Sequence, residues 1–170
     1  MKKLFQTLTL ATVLVAPSSL LANPYCAELG VADQLPKKYA KRGPFYADPE
    51  TGWIVGEDQL KSDFVVTDEA VALWTEIGAA FAEKGITLAA LVAPPRPLFA
   101  PSLPESVAYD KGKSRSGFVK YMSALNAAGI AAPDLSTLVE SPESTDYYFA
   151  RDTHWTPKGA AMSAAMLAET

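Results

Sequence analysis

The chain holds one cysteine and one histidine in 170 residues, and these two scarcities already exclude several classes of protein. A lone cysteine, Cys26, closes no disulfide within the chain, so this is not a disulfide-stapled scaffold. In an oxidising compartment it stays free, pairs with another chain, or pairs with a partner beyond residue 170. The lone histidine, His154, with one nearby acid, falls short of the three or four ligands of a stable zinc site, so no metal is expected. Basic residues number 15 against 19 acids, a net charge of −4. The one short basic run, Lys37, Lys38, Lys41 and Arg42, reads as solvated surface, and no nucleic-acid partner is expected. No apolar run reaches the ~20 residues of a confident membrane span. There is no internal repeat and no low-complexity tract.

What is present begins with an export signal. Lys2 and Lys3 precede an apolar stretch from Leu4 to Val15, followed by Pro17, Ser18 and Ser19 and a small residue, Ala22, at a cleavage position. Residues 1–22 are therefore expected to be a signal peptide that sends the chain to the periplasm, and residues 23–170 one domain. An apolar fraction of 49% with 20% charged residues belongs to a globular chain that buries a core.

Residues 23–50 look irregular, and Gly52–Val55 reads as a short strand after a turn. Thr67 is a helix N-cap with Asp68 and Glu69 in the first turn. Ala70, Trp74, Ile77 and Phe81 then recur at helical spacing, which places Trp74 in the core, and Gly85 ends the helix. Ile86 to Ala93 is a nearly continuous apolar run, expected as a buried parallel strand, stopped by Pro94-Pro95-Arg96-Pro97. A second helix is marked by Phe118, Tyr121, Met122 and Leu125 and closed by Gly129, and Ile130–Ala132 follows as a strand. Thr156 and Pro157 open a last helix, whose Ala160, Ala161, Ala164, Leu167 and Ala168 form a small-residue packing face. Helices alternating with buried strands give an α/β fold with a mostly parallel sheet. Its strands are fewer than the about five or six of a doubly wound sheet, so it is expected to be incomplete at the C-terminal side.

The stretch that carries chemistry is Asp152-Thr153-His154-Trp155-Thr156-Pro157-Lys158-Gly159-Ala160. In an extended segment, residues i and i+2 face the same way. Asp152 is thus placed to hold one ring nitrogen of His154 and leave the other toward a substrate, the acid and base of a serine-type triad. The bland alternative is that His154 only caps or packs the last helix. Trp155, beside the proposed base, is a candidate for stacking on a sugar or for buttressing His154. Arg96, at a strand end, is a candidate for an acidic sugar or a phosphate, or a surface arginine in a turn. Ser114 and Ser116, in a polar stretch ahead of a helix, are weak candidates for a nucleophile and fit equally well as caps or turn formers.

The same segment resembles the D-x-H-W-(T/N)-P-x-G-A signature of the SGNH hydrolase-like domain in the AlgX/AlgJ family of alginate O-acetyltransferases. Gly52-Trp53-Ile54 is similar to an early turn of that family. Leu91–Arg96 with Leu103-Pro104 is similar to its strand and proline loop, arginine standing where lysine is common. The resemblance implies an SGNH-hydrolase-like three-layer fold and a periplasmic enzyme that moves acetyl groups onto hydroxyls of an exported, alginate-like polysaccharide. It implies no cofactor, and a membrane-bound acyltransferase as acetyl-donor partner. It also implies that Asp152 and His154 belong to a Ser-His-Asp triad whose serine follows well after the motif, beyond this chain. Two other readings stand beside it: a non-catalytic polysaccharide-binding or scaffold module of an export complex, and a carbohydrate acetylesterase.

Overall fold

The computed structural model describes residues 27–170; the expected signal peptide at residues 1–22 and Cys26 lie outside the described residues. Strand β1 (Phe45–Ala47) and strand β2 (Ile54–Gly56) are followed by helix α1 (Asp68–Ala82) and strand β3 (Leu88–Ala89). Helix α2 (Lys111–Ala127), strand β4 (Ile130–Ala131) and helix α3 (Pro157–Ala168) complete the order, with short 3₁₀ segments before β1, after β2, after β3 and, two in succession, between β4 and α3.

β1 and β2 form an antiparallel hairpin with Tyr46 opposite Val55. Residues 23–50 carry no alternation long enough to announce β1. A buried carboxylate makes its turn: Asp48 accepts from the Glu50 amide at 3.0 Å and the Thr51 hydroxyl at 2.6 Å, and from Ser102 Oγ across the fold. Gly52 closes the turn at φ 71°, a conformation that costs glycine little.

α1 starts where its cap dictates, with Thr67 Oγ1 accepting from the Ala70 amide at 3.2 Å, and Gly85 leaves the helix at φ 69°. It packs closely on the end of the next helix at Gly78, where a Cβ would overlap the Ala128 carbonyl. Trp74 is half-buried rather than enclosed, edge-on to Tyr121 at 5.1 Å between ring centres. α2 begins earlier than its apolar spacing announced, because Asp110 caps it by accepting from the Lys113 amide at 2.8 Å. The polar stretch around Ser114 and Ser116 is therefore helix, not a loop before one.

The long buried strand expected over Ile86–Ala93 is not found. Pairing is confined to Leu88 opposite Ile130 and Ala89 opposite Ala131, in parallel, and Ile86 and Leu91 are 50% and 37% exposed. β3–β4 is thus the parallel part of the structure, and the β1–β2 hairpin is a separate antiparallel pair. Asn126 holds β4 against α2: its amide donates to the Ala132 carbonyl at 2.8 Å, and its carbonyl accepts the Ala132 amide at 2.9 Å.

Two apolar clusters result. Phe118, Met122, Leu125, Ile130 and Ala132 form one beneath β3–β4. Trp53, Leu98, Phe99, Ala100, Tyr147 and Tyr148 form the other, beneath the motif segment. Each large apolar side chain so enclosed contributes about 1.5–3 kcal/mol. α3 packs on the second cluster, though not through its alanines: Ala161, Ala164 and Ala168 are exposed, while Gly159 and Ser163 are buried. Gly159 lies on the Tyr147 backbone, where a Cβ would overlap the carbonyl, and Ser163 Oγ meets Tyr147 Oη at 2.6 Å.

Candidate functional site

The motif folds as the tip of a tight loop. Tyr148 and Trp155 bridge in antiparallel fashion; the Thr156 amide donates to the Tyr147 carbonyl at 2.9 Å, and the Phe149 amide to the His154 carbonyl at 3.3 Å. Between these rungs, Asp152 bends the chain by an Asx-type turn. Its Oδ1 accepts both the His154 amide at 2.8 Å and His154 Nδ1 at 2.5 Å. The two side chains meet as the i, i+2 spacing suggested, but through a turn rather than an extended strand. Both backbone and ring donors favour the ionised acid, so the Asp152 carboxyl titrates below its ordinary range, the His154 amide being the larger cause. An ionised carboxylate only accepts, so Nδ1 carries a proton and donates, and in the neutral ring Nε2 is the acceptor. Nε2 makes no hydrogen bond among the described residues, and the ring is largely exposed.

The loop is anchored from below. Tyr147 and Tyr148 sit under it, fully or nearly buried; Phe99 stacks on Tyr147 at 4.4 Å, and Tyr148 Oη donates to the Pro94 carbonyl at 2.5 Å. Burial raises the Tyr148 phenol well above its ordinary range, so it stays protonated and donates. Trp155 is half-buried and meets Tyr147 edge-on at 6.3 Å, the placement of a buttress.

Arg96 turns inward. It is 5% exposed, and its guanidinium lies 4.4 Å above the Trp53 ring. It donates to the carbonyls of Ile54 at 2.6 Å, Ala150 at 2.6 Å and Phe149 at 2.7 and 3.2 Å. Burial brings its pKa down to about 10, against the opposing influence of Tyr148 and Asp152, so it remains charged at neutral pH. The Ile54 amide adds a bond to the Ala150 carbonyl at 2.9 Å. The leg of the loop that leads into Asp152 is thereby tied to β2 and to the turn after β3. No sequence signal marks Trp53 or the Ile54 carbonyl for this role, because the bonds span more than forty residues and end on backbone.

The serines weighed as nucleophiles lie elsewhere. Ser114 is fully buried in α2 and accepts from Tyr109 Oη at 2.6 Å; Ser116 is exposed on the same helix. Neither bonds to His154. Ser136 and Ser163, also buried, are engaged by Asp134 and Tyr147. Among the described residues no three His, Cys, Asp or Glu side chains converge as metal ligands, and no helix is long and apolar enough to cross a membrane.

Depressions lined by Asp152 lie beside the pair. A depression of about 390 Å³ along Phe149–Asp152 shares Arg151 and Asp152 with a smaller one of about 110 Å³. That one shares Asp58, Gln59 and Arg96 with a third, of about 330 Å³, which reaches Ala93 and Pro95. The last of these depressions is lined by residues that follow β3, the side on which α/β folds bind ligands.

Residues 50–170 match the family model of the SGNH hydrolase-like domain of the acetyltransferase AlgX. The chain is 30% identical over 166 residues to the alginate biosynthesis protein AlgX of Pseudomonas aeruginosa, covering 91% of this chain and 34% of that protein. To AlgX of Pseudomonas putida it is 25% identical over 154 residues, 85% of this chain and 32% of that one. The solved structure of Pseudomonas aeruginosa AlgX superposes with a TM-score of 0.72 at 27% identity, over 85% of this chain and 35% of that one. The chain therefore spans about a third of the length of these relatives. With the model match covering most of its residues, the chain belongs to the family of SGNH hydrolase-like acetyltransferase domains found in AlgX.

Proposed function

We propose that the chain is an exported acetyl-transfer module that acts on hydroxyls of an alginate-like polysaccharide in the periplasm. Its residues 1–22 direct export, and residues 23–170 form one SGNH hydrolase-like domain. The observation that carries this reading is the Asp152–His154 pair at 2.5 Å, beside depressions that Asp152 lines, with Nε2 making no hydrogen bond among the described residues. In acyl transfer Nε2 takes the proton of a serine hydroxyl as the oxygen attacks the donor ester. It then returns that proton to the departing alcohol. In the second half-reaction it takes the proton of a sugar hydroxyl, which attacks the acetyl-serine, and gives it back to the serine. Asp152 fixes the tautomer and stabilises the imidazolium in both halves. The serine is not among those described, and His154 works with one outside them. A membrane-bound acyltransferase supplies the acetyl group. Trp155, half-buried beside the base, stacks on the acceptor sugar with its exposed part, and Arg96 acts by positioning the loop rather than by touching substrate.

A second reading, a non-catalytic polysaccharide-binding or scaffold module, is favoured by the lack of a serine at Nε2 among the described residues. One experiment separates the two. His154→Ala is introduced into the chromosomal copy of the gene in the bacterium that exports the polymer, and polymer yield and acetyl content per sugar are measured. Normal yield with acetyl content lost supports the transferase. Unchanged acetyl content in the variant refutes it, and a fall in yield alone indicates the scaffold.

A further inference from the structure

The loop that carries the acid–base pair rests on the β1–β2 hairpin, and a buried carboxylate outside the acid–base chemistry fixes that hairpin in turn. Asp48 is 4% exposed. Its Oδ1 accepts the Glu50 amide at 3.0 Å, and its Oδ2 accepts Thr51 Oγ1 at 2.6 Å and Ser102 Oγ. The Asp48 amide donates to the Trp53 carbonyl at 2.8 Å, and the Asp48 carbonyl accepts the Gly52 amide at 2.9 Å. All of these bonds but one close the turn on itself. The bond from Ser102 leaves it and reaches the segment that follows β3. The side-chain donors hold the carboxyl below its ordinary range, Ser102 foremost, so it stays ionised and accepts from each of them. The turn reaches the pair by two routes. The Arg151 guanidinium lies across Gly52, where a Cβ would come within 3.3 Å of Nη2 and 3.8 Å of Nε, and Arg151 directly precedes Asp152. Next after Gly52, the Trp53 ring lies under Arg96, and Ile54 bonds both Arg96 and the Ala150 carbonyl.

From this we infer that Asp48 is a positioning residue for the Asp152–His154 pair and acts through Ser102. A two-stranded hairpin is marginal by itself and takes its orientation from what it is tied to. Here the segment after β3 ties it twice, at Arg96 and at Ser102. One tie leaves a pivot; the second sets the angle. That angle sets where Gly52 seats Arg151, and so how the next residue turns its carboxylate toward His154. The pair has little packing of its own to hold it: the His154 and Asp152 side chains are 80% and 56% exposed. A displacement of about 1 Å takes the 2.5 Å contact to the limit of hydrogen bonding. Nδ1 then loses the acceptor that keeps it protonated, and the tautomer that leaves Nε2 as the base is no longer imposed. The effect on the pair rests on geometry alone; its effect on the reaction rests on the acetyl-transfer reading above.

The test is nitrogen NMR of the His154 ring in the purified chain, at a pH where the ring is neutral. The two ring nitrogens report which of them carries the proton, and as the chain holds a single histidine, they need no assignment. In the parent Nδ1 is expected to be protonated and Nε2 not, with well-separated shifts. Asp48→Ala and Ser102→Ala are expected to draw the two shifts toward each other as the tautomers mix. Ser102→Thr keeps the hydroxyl and should hold the parent values. Gly78→Ala destabilises the other cluster and should leave them unchanged. Ser102→Ala removes one hydroxyl from a half-buried position and spares the hairpin's own bonds, so it carries the test where Asp48→Ala does not fold. Parent-like shifts in folded Ser102→Ala overturn the inference, and so does an equal change in Gly78→Ala. In the exporting bacterium, chromosomal Ser102→Ala should lower acetyl content per sugar at normal polymer yield. Acetyl content that falls with His154→Ala but not with Ser102→Ala overturns the effect on the reaction. Content unchanged in both refutes the acetyl-transfer reading, while the ring shifts still decide the positioning.

Discussion

Replacing Arg96 by methionine is the sharpest test of how the site is held. The variant keeps an unbranched stem over Trp53 and removes every N–H. The Ala150 carbonyl keeps the Ile54 amide at 2.9 Å, whereas the Phe149 and Ile54 carbonyls lose the guanidinium bonds described above. A buried carbonyl left unpaired costs about 1–3 kcal/mol, so two cost roughly 2–6 kcal/mol. Against this, the substitution recovers part of the desolvation penalty of a buried cation. The expected net loss is about 2–3 kcal/mol, a fall in Tm of roughly 10 °C for a domain of this size. Arg96→Lys should fare no better, because an ammonium keeps the buried charge but lacks the planar fork that reaches three carbonyls. Urea unfolding followed by tryptophan fluorescence measures the loss, since Trp53 lies under the guanidinium. NMR of His154 then separates positioning from mere stability. Arg96→Met should shift and broaden its ring signals, while Gly78→Ala, which destabilises the other cluster, should leave them in place. If Arg96→Met unfolds within about 0.5 kcal/mol of the parent, or if Gly78→Ala perturbs His154 equally, the anchoring role is refuted.

Three further outcomes are expected. Asp48 titrates below its ordinary value of 3.8, chiefly through the Ser102 hydroxyl and then Thr51; a depressed carboxylate stabilises the fold above that value and loses its contribution as pH falls through the lower, folded-state value. Asp48→Asn should therefore lower stability at pH 7 and flatten the acid limb of a stability–pH curve below about pH 4; parallel curves for parent and variant would contradict this. The Tyr147–Ser163 pair is fully buried, so Ser163→Ala should cost about 1–2 kcal/mol. The double variant with Tyr147→Phe should cost less than the sum of the singles, a coupling read by a double-mutant cycle and absent if the bond is idle. Finally, Leu73 and Phe81 on α1 and Ile86 and Leu91 flanking β3 are all at least 37% exposed. The purified chain should self-associate and bind a hydrophobic dye, and Leu91→Lys should reduce both; a strictly monomeric, dye-silent chain would refute this.

Local signals in the sequence were strong where the physics is local. Thr67 and the Thr156-Pro157 pair start α1 and α3 because a cap needs only its own next three residues. Gly85 and Gly129 end the first two helices because a positive φ there suits glycine. The Asp152–His154 contact is likewise short-range, two residues apart, and so was legible from spacing, together with the motif that resembles its family. Tertiary structure decided the rest. The apolar run Ile86–Ala93 has a buried strand's composition, but burial depends on what lies against it, and only Leu88 and Ala89 find a partner strand. Ser114 reads as a polar loop residue until Asp110 caps α2 ahead of it and Tyr109 takes it inside. The packing face of α3 is chosen by Tyr147, against whose backbone Gly159 packs and whose hydroxyl donates to Ser163 Oγ, itself a donor to the Gly159 carbonyl, not by the helix's many alanines. Arg96 shows the difference most plainly. Its charge suggested a ligand, yet its partners are three backbone carbonyls from distant segments, and backbone carbonyls are the same at every residue. No residue type marks them in advance, so only the fold determines that this arginine holds the loop.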